Sequence, residues 1–119
     1  MMTPFLIEVD VFSGLPNPSW TTDAEETAEL DQLLAALEPA TSAQVHNGLG
    51  YRGFLVMPTK PGLQRLLRIQ GQQVAVEDHG VKQFFRDPES RVERWLIAQS
   101  AQHLSADIID LLPTTHTPE

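Results

Sequence analysis

The feature that most constrains this fold is a stiff loop with two prolines, which joins a strand-like run to a helix-like run. It spans residues 12–20 and reads Phe-Ser-Gly-Leu-Pro-Asn-Pro-Ser-Trp. Each proline fixes its own φ angle and biases the preceding residue towards an extended conformation. A connection this short and stiff is expected to hold one shape. We therefore predict that it presents Ser13, Asn17 and Trp20 as a recognition surface.

The run before the loop, residues 5–12, alternates apolar and other side chains with the period of a β-strand. The alternation places Glu8 and Asp10 on the face opposite the apolar set. Two readings stay open for this acidic pair. It is either part of a solvated sheet face or a pair of carboxylates that binds a metal ion.

The run after the loop is typical of an amphipathic helix over residues 23–38. Four leucines fall at i, i+3, i+4 and i+7 and form one apolar stripe. Either Thr22 with Glu25 or Asp23 with Glu26 has the spacing of a capping box. Pro39 is expected to end the helix.

The remaining elements follow from shorter patterns. Residues 51–57 predict a second strand that is covered on both faces. Residues 67–76 favour a hairpin around Gly71, although a partly helical structure of residues 63–77 stays open as an alternative. Gly53 is expected to serve a turn or a close backbone approach. Residues 81–85 predict a short strand. Asp87, with Pro88 at the first helical position, predicts the start of a helix that runs to about residue 103, and a short helix follows over 106–112.

This order predicts an α+β fold, a two-layer sandwich with the order β-α-β-β-(β)-α and a short C-terminal helix. Residues 1–112 are expected to form a single domain and residues 113–119 a flexible tail. If the first two strands are parallel, the helix between them forms a right-handed crossover.

Composition narrows the function classes. The 119 residues include no cysteine, which excludes disulfides, thiolate zinc sites and a cysteine nucleophile. The formal net charge of −8 argues against non-specific nucleic-acid binding. Residues 1–11 make a poor signal peptide and no apolar run reaches membrane-spanning length, so we expect a cytoplasmic protein with no membrane partner.

Two further residues carry alternatives. Arg52 could hold a carboxylate or phosphate in a bidentate grip, or it could form an ion pair with Asp10 or with the acidic first helix. Trp20 could staple the loop to the helix or form the wall of a pocket. Together with Ser13 and Asn17, these residues make up the predicted ligand-binding set.

A second candidate site is the run Glu77-Asp78-His79, two carboxylates and an imidazole on a predicted turn. His79 could act as a general acid or base, and Asp78 and His79 are the candidate metal ligands, or the histidine could simply be an exposed turn residue. The four histidines lack the spacings typical of metal sites, and no Gly-x-Ser-x-Gly elbow is present. We predict no cofactor.

The loop sequence Phe-Ser-Gly-Leu-Pro-Asn-Pro-Ser-Trp resembles an opening found in small uncharacterised bacterial proteins, which usually carry Arg at the position of Leu15. The stretch from Asp87-Pro88 to Leu96 is similar to theirs as well. The resemblance implies a shared scaffold and a special loop, and it implies no mechanism. Sequence alone thus favours a small binding or interaction domain for a small molecule or a protein partner. The alternative is an enzyme or metal-binding protein that uses Glu77, Asp78 and His79.

Overall fold

The computed structural model describes residues 3–11, 16–41, 52–60 and 65–112. No helix within these ranges is long and apolar enough to cross a membrane. The predicted tail at 113–119 and the connection at 42–50 lie outside the described residues. The described elements are β1 (Phe5–Val9), β2 (Ser19–Thr21), α1 (Ala24–Ala35), β3 (Glu38–Ala40), β4 (Phe54–Pro58), β5 (Arg65–Gln70), β6 (Gln73–Asp78), β7 (Val81–Arg86), α2 (Arg91–His103) and α3 (Ala106–Ile109).

The described strands form one antiparallel sheet in the order β2-β1-β4-β5-β6-β7-β3. The predicted two-layer sandwich with the order β-α-β-β is therefore wrong. Its premise of a crossover fails because β4, the strand predicted to follow α1 directly, pairs antiparallel with β1. Two strands were also missing from the prediction, since β2 and β3 flank α1 in the chain and lie at opposite edges of the sheet.

The inner face of the sheet is the face that carries the core. Side chains alternate between faces along each strand, and the register aligns the inward ones in rows across the sheet. Each fully buried aliphatic or aromatic side chain in such rows contributes roughly 1.5–3 kcal/mol. One row contains Ile7, Val56, Leu67 and Val76, the next contains Val9, Phe54, Ile69 and Val74, and the helices cover both with Leu30, Val92, Leu96 and Ile97.

The outer face of the sheet carries the residues that alternate with the buried ones along each strand. Leu55 and Met57 of β4 point there and are only half-buried, so the prediction that this strand is covered on both faces is wrong. Phe54 and Val56 on the inner face are fully buried. The unbroken apolar run did indicate an interior strand correctly, since β4 lies between β1 and β5.

Helix α1 begins as predicted with a capping box. The Asp23 carboxylate accepts from the Glu26 backbone N–H at 2.8 Å, and the Glu26 carboxylate accepts from the Asp23 N–H at 2.9 Å. Of the two spacings that the sequence offered, Asp23 with Glu26 is the one used. The box satisfies two backbone donors at the helix N-terminus that lack partners inside the helix.

Helix α2 begins later than predicted, at Arg91 instead of Pro88. Asp87 still supplies the capping oxygen, because its carboxylate accepts from the Val92 N–H at 2.8 Å. The chain reaches that geometry through Ser90, whose φ of 52° lies in the left-handed region. The prediction that the helix starts at Asp87-Pro88 is wrong, since Ser90 is the N-cap residue, although the Asp87 carboxylate still accepts from a backbone N–H of the first turn.

Both predicted turns of the β5–β6–β7 region are present. Strands β5 and β6 pair from Gln70 with Gln73 onwards, around Gly71 at φ 59°. The β6–β7 hairpin turns at His79 and Gly80, with φ of 51° and 84°. Two consecutive positive φ values are typical of a type I′ turn, which matches the twist of the flanking strands. The hairpin reading of residues 67–76 is therefore confirmed over the helical one.

Candidate functional site

Asp10 forms the centre of a charged cluster at the end of β1. Arg52 Nη2 donates to Oδ1 at 2.8 Å, and Arg68 Nη1 donates to Oδ2 at 2.9 Å. The side chain of Asp10 is only 11% exposed. Strands β1, β4 and β5 are neighbours in the sheet, so the fold brings together three residues that are far apart in sequence. Arg52 therefore forms the ion pair with Asp10 that was one of its two predicted roles.

The two arginines determine the ionisation of Asp10. Burial raises the pKa of this carboxyl, but the hydrogen bonds from Arg68 and Arg52 outweigh burial and hold the pKa below its ordinary value of 3.8. Asp10 is therefore a carboxylate at neutral pH. Each of its two oxygens accepts from an arginine, so the carboxylate is paired with positive charge on both sides.

Asn17 ties the described part of the proline loop to this cluster. Its amide nitrogen donates to Glu8 Oε2 at 3.0 Å, and its amide oxygen accepts from the Val11 N–H at 3.1 Å. The backbone adds a bond from the Val9 N–H to the Pro18 carbonyl at 2.9 Å. Asn17 thus bonds to Glu8 of β1 and to the backbone of Val11 just after it, which holds the loop against the sheet.

The structure divides the predicted ligand-binding set. Asn17 and Arg52 are brought together around Asp10, and Ser13 lies outside the described residues. Trp20 faces the other way, because its register partner on β1 is Ile7 of the inner face. The acidic pair Glu8 and Asp10 does lie on the face opposite the core set, where Asn17 and the arginines engage it.

Trp20 is a core residue with 7% of its surface exposed. Its ring stacks on His103 of α2 at a centroid distance of 5.2 Å, and it meets Phe54 edge-on at 6.5 Å. Its indole Nε1 is buried and has no hydrogen-bond partner among the described residues. Of the two roles predicted for Trp20, the arrangement is that of a staple between the loop and a helix, although the helix is α2 and not α1.

A cleft lies at the opposite end of the same inner face. A third row, one step beyond the buried rows, is made of two register pairs, Phe5 with Pro58 and Arg65 with Asp78. Helix α1 forms the other wall with Thr27 and Asp31, and the enclosed volume is about 460 Å³. The cleft continues along α1 past Leu34 towards Phe85 through a second part of about 250 Å³. We call both parts together the helix–sheet cleft.

Two threonines hold the walls of the cleft together. The Thr22 hydroxyl accepts from the Phe5 N–H at 2.9 Å and lies 2.7 Å from the Thr27 hydroxyl. Because Thr27 Oγ1 donates to the Asp23 carbonyl at 2.6 Å, the proton between the two hydroxyls comes from Thr22. This chain of bonds fixes the start of β1 against the first turns of α1.

The predicted cluster Glu77-Asp78-His79 is only partly assembled. Adjacent strand residues point to opposite faces, so Glu77 lies on the outer face while Asp78 lines the cleft. His79 Nδ1 lies 2.6 Å from Asp78 Oδ1, and both residues line the cleft. Within the described residues, no group of three or more histidine, aspartate or glutamate side chains could hold a metal ion.

Sequence reasoning missed the cleft, although a signal for it exists. Arg65 is in phase with the buried Leu67 and Ile69, and Asp78 is in phase with the buried Val74 and Val76. Charged residues in phase with core residues on two paired strands indicate that the inward face ends there in something other than packed core. Neither the place of Asp31 in a cleft nor the pairing of Arg68 with Asp10 was predicted.

Comparison with known proteins adds no residue role: no family model matches the chain, and neither a curated protein nor a solved structure matches it. The resemblance of the proline loop to a group of bacterial proteins therefore stays a prediction. The function has to be argued from the geometry of the Asp10 cluster and of the helix–sheet cleft.

Proposed function

We propose that this protein is a binding domain whose small organic ligand occupies the helix–sheet cleft. The observation that carries the proposal is the composition of the cleft of about 460 Å³ between α1 and the third row of the inner face, where apolar walls meet several charged groups. Small-molecule sites typically enclose roughly 300–1,000 Å³, are mostly apolar and contain a few convergent polar groups. Phe5 and Pro58 supply apolar walls here, and Arg65, Asp78 and Asp31 supply the polar groups.

The cleft suits recognition better than the proline loop does, as far as the loop is described. The polar groups of Asn17 and the guanidinium of Arg52 bond to Glu8, Asp10 and the β1 backbone, so they stabilise the fold. Arg65 and His79, by contrast, keep 53% and 61% of their side chains exposed beside the cleft. Recognition of a partner by the loop stays a prediction, as does a metal site at Asp78 and His79. Metal analysis of untagged protein checks the latter.

Filling the cleft tests the proposal. Leu33 and Leu34 are neighbouring half-buried leucines of α1, and only Leu34 lines the helix–sheet cleft. We expect a library of small organic fragments, screened by NMR chemical shifts on the whole chain, to perturb amides around Phe5 and Phe85, which line the second part of the cleft with Leu34. Leu34→Trp should abolish these perturbations, and Leu33→Trp, the matched control, should preserve them.

The outcome that counts against the proposal is equally specific. Fragments that perturb only residues away from the cleft, or that bind Leu34→Trp as well as the parent, would show that the cleft is not the ligand site. The shift dispersion of each variant verifies that it is folded before binding is compared.

A further inference from the structure

The charged side chains that line the helix–sheet cleft differ in whether an oppositely charged group lies beside them. Asp78 Oδ2 lies 3.5 Å from Arg65 Nε, and Asp78 Oδ1 lies 2.6 Å from His79 Nδ1. These three residues therefore form one connected group at the mouth of the cleft. Their carboxylate already has a guanidinium and an imidazole as neighbours.

Asp31 is different, because it forms no hydrogen bond and no ion pair with any described residue. It is spaced four residues after Thr27 and three before Leu34, so the three residues share one face of α1. That face is a wall of the cleft, and Asp31 lines both of its parts. Among the described residues that line the cleft, Asp31 thus supplies the uncompensated charge.

Apolar side chains form most of the cleft around Asp31, which is itself exposed, and Arg65 lines both parts as well. Phe5 lines both parts of the cleft with Asp31, and the second part is walled mainly by aliphatic and aromatic side chains. A molecule with an apolar body would bury its surface there. An aromatic ring beside a carboxylate also favours an ammonium group, since the face of the ring attracts cations. The apolar members of that second part are Leu34, Ala35, Leu37, Leu67, Val76 and Phe85.

We propose that the ligand of the helix–sheet cleft is an amphipathic amine, an organic cation with an apolar body. Its ammonium group pairs with the Asp31 carboxylate, and its body lies against Phe5 and Leu34. This inference rests on the proposed function and adds the chemical class of the ligand. The acidic balance of the chain, with a net charge of −8, also favours the approach of a cation.

Three probes of similar shape but different charge test the role of the ammonium group. They are phenethylamine, 2-phenylethanol and 3-phenylpropanoate. Each is titrated into the isotope-labelled whole chain, and the backbone amide shifts of Phe5, Asp31 and Asp78 are followed. We expect the amine to bind about tenfold more tightly than the alcohol, as a charge-assisted hydrogen bond implies. The carboxylate probe should bind most weakly.

Asp31→Asn removes the charge and preserves the shape of the side chain. We expect it to weaken phenethylamine binding about tenfold and to leave 2-phenylethanol binding unchanged. The matched control is Glu25→Gln, which removes the same charge from an exposed position of α1 that does not line the cleft. That control should bind the amine within about twofold of the parent, because screening weakens distant surface charges.

The results distinguish the two proposals. If 2-phenylethanol binds as tightly as the amine, if Asp31→Asn has no effect, or if Glu25→Gln weakens the amine equally, the ligand class is wrong while the cleft remains a binding site. If none of the three probes shifts the cleft amides at millimolar concentration, both the ligand class and the cleft are overturned.

Discussion

The imidazole of His103 lies flat on the indole of Trp20, with the ring centroids 5.2 Å apart and the planes 8° from parallel. His103 Nε2 is also 2.9 Å from Glu26 Oε2, and the other oxygen of Glu26 belongs to the capping box of α1. One histidine therefore connects the last turn of α2 with the strand that follows the proline loop and with the start of α1. This is the point at which α1, α2 and the edge strand β2 meet.

His103→Ala should lower the free energy of unfolding by about 1–2 kcal/mol, because it removes an aromatic stack and a hydrogen bond to a carboxylate. Urea unfolding measures the loss. The fluorescence of the native state should change as well, since Trp20 loses the ring that covers it. His79→Asn serves as the control, because this exposed turn position with positive φ suits asparagine and the change should stay within about 0.5 kcal/mol. Equal losses in the two variants would contradict the assigned role of His103.

Asp10→Asn should lower the free energy of unfolding by about 2–3 kcal/mol at neutral pH, because two arginines lose a charged acceptor in a nearly buried site. The pKa of Asp10 is lower in the folded state than its ordinary value of 3.8. Its stabilisation is therefore fully present above that value and is lost as the pH falls towards the folded pKa. The difference between parent and variant should accordingly shrink in acid.

Urea unfolding at a series of pH values measures this difference. Glu89→Gln supplies the contrast, since Glu89 pairs with Arg91 where both side chains are more than half exposed. We expect that variant to lie within about 0.5 kcal/mol of the parent. A gap between Asp10→Asn and the parent that stays constant from neutral pH to below pH 3.8 would show that the ionised carboxylate is not the stabilising species.

Gly53→Ala should destabilise the fold by at least about 3 kcal/mol. Gly53 has φ 97°, and an added Cβ would lie 2.4 Å from the backbone oxygen of Ile69. The glycine also accepts from the Asp10 N–H at 3.0 Å, which joins it to the Asp10 cluster.

Gly71→Ala is the comparison, because its φ of 59° is also positive but an added Cβ meets nothing within 4 Å. That substitution should cost about 1 kcal/mol through backbone strain alone. Thermal or urea unfolding compares the stabilities of the two variants. If Gly71→Ala were the less stable of the pair, the close approach of Gly53 to Ile69 would not be what makes this glycine necessary.

Thr22→Val should lower the free energy of unfolding by about 1–3 kcal/mol, because the buried Phe5–Thr22–Thr27 link loses its central hydroxyl. Amide shifts around the helix–sheet cleft should move with it, since the link holds both walls. Thr22→Ser retains the hydroxyl and should remain closer to the parent in both measurements. A serine variant as unstable as the valine variant would assign the effect to packing and not to the hydrogen bonds.

Short sequence patterns predicted the features that depend on interactions between residues close together in the chain. The capping box at Asp23 and Glu26, the leucine stripe of α1 and the turns at Gly71 and His79-Gly80 depend on residues within a few positions of each other. The ion pair of Arg52 with Asp10 was one of the predicted alternatives for that arginine, and it is formed. Gly53 was expected to serve a turn or a close approach, and its contact with β5 confirms the latter.

The short edge strands could not be predicted in the same way. Three residues are too few for a period of two to be distinguished from chance, and β2 and β3 exist only because distant strands pair with them. Pro39 shows the ambiguity well. It was predicted to end the first helix, but α1 already ends at Ala35, and Pro39 lies in β3 at the edge of the sheet, where a residue without an N–H is tolerated.

By itself, the sequence determined the capping box of α1, the two hairpin turns and which side chains along a strand share a face. Only the tertiary structure decided how the strands are ordered, that Trp20 faces the core while Asn17 faces the Asp10 cluster, and that Asp31 lines a cleft. The physical reason is the range of the interactions. Capping bonds and side-chain alternation act over a few residues, whereas register and burial depend on partners up to dozens of positions away, as between Asp10 and Arg68.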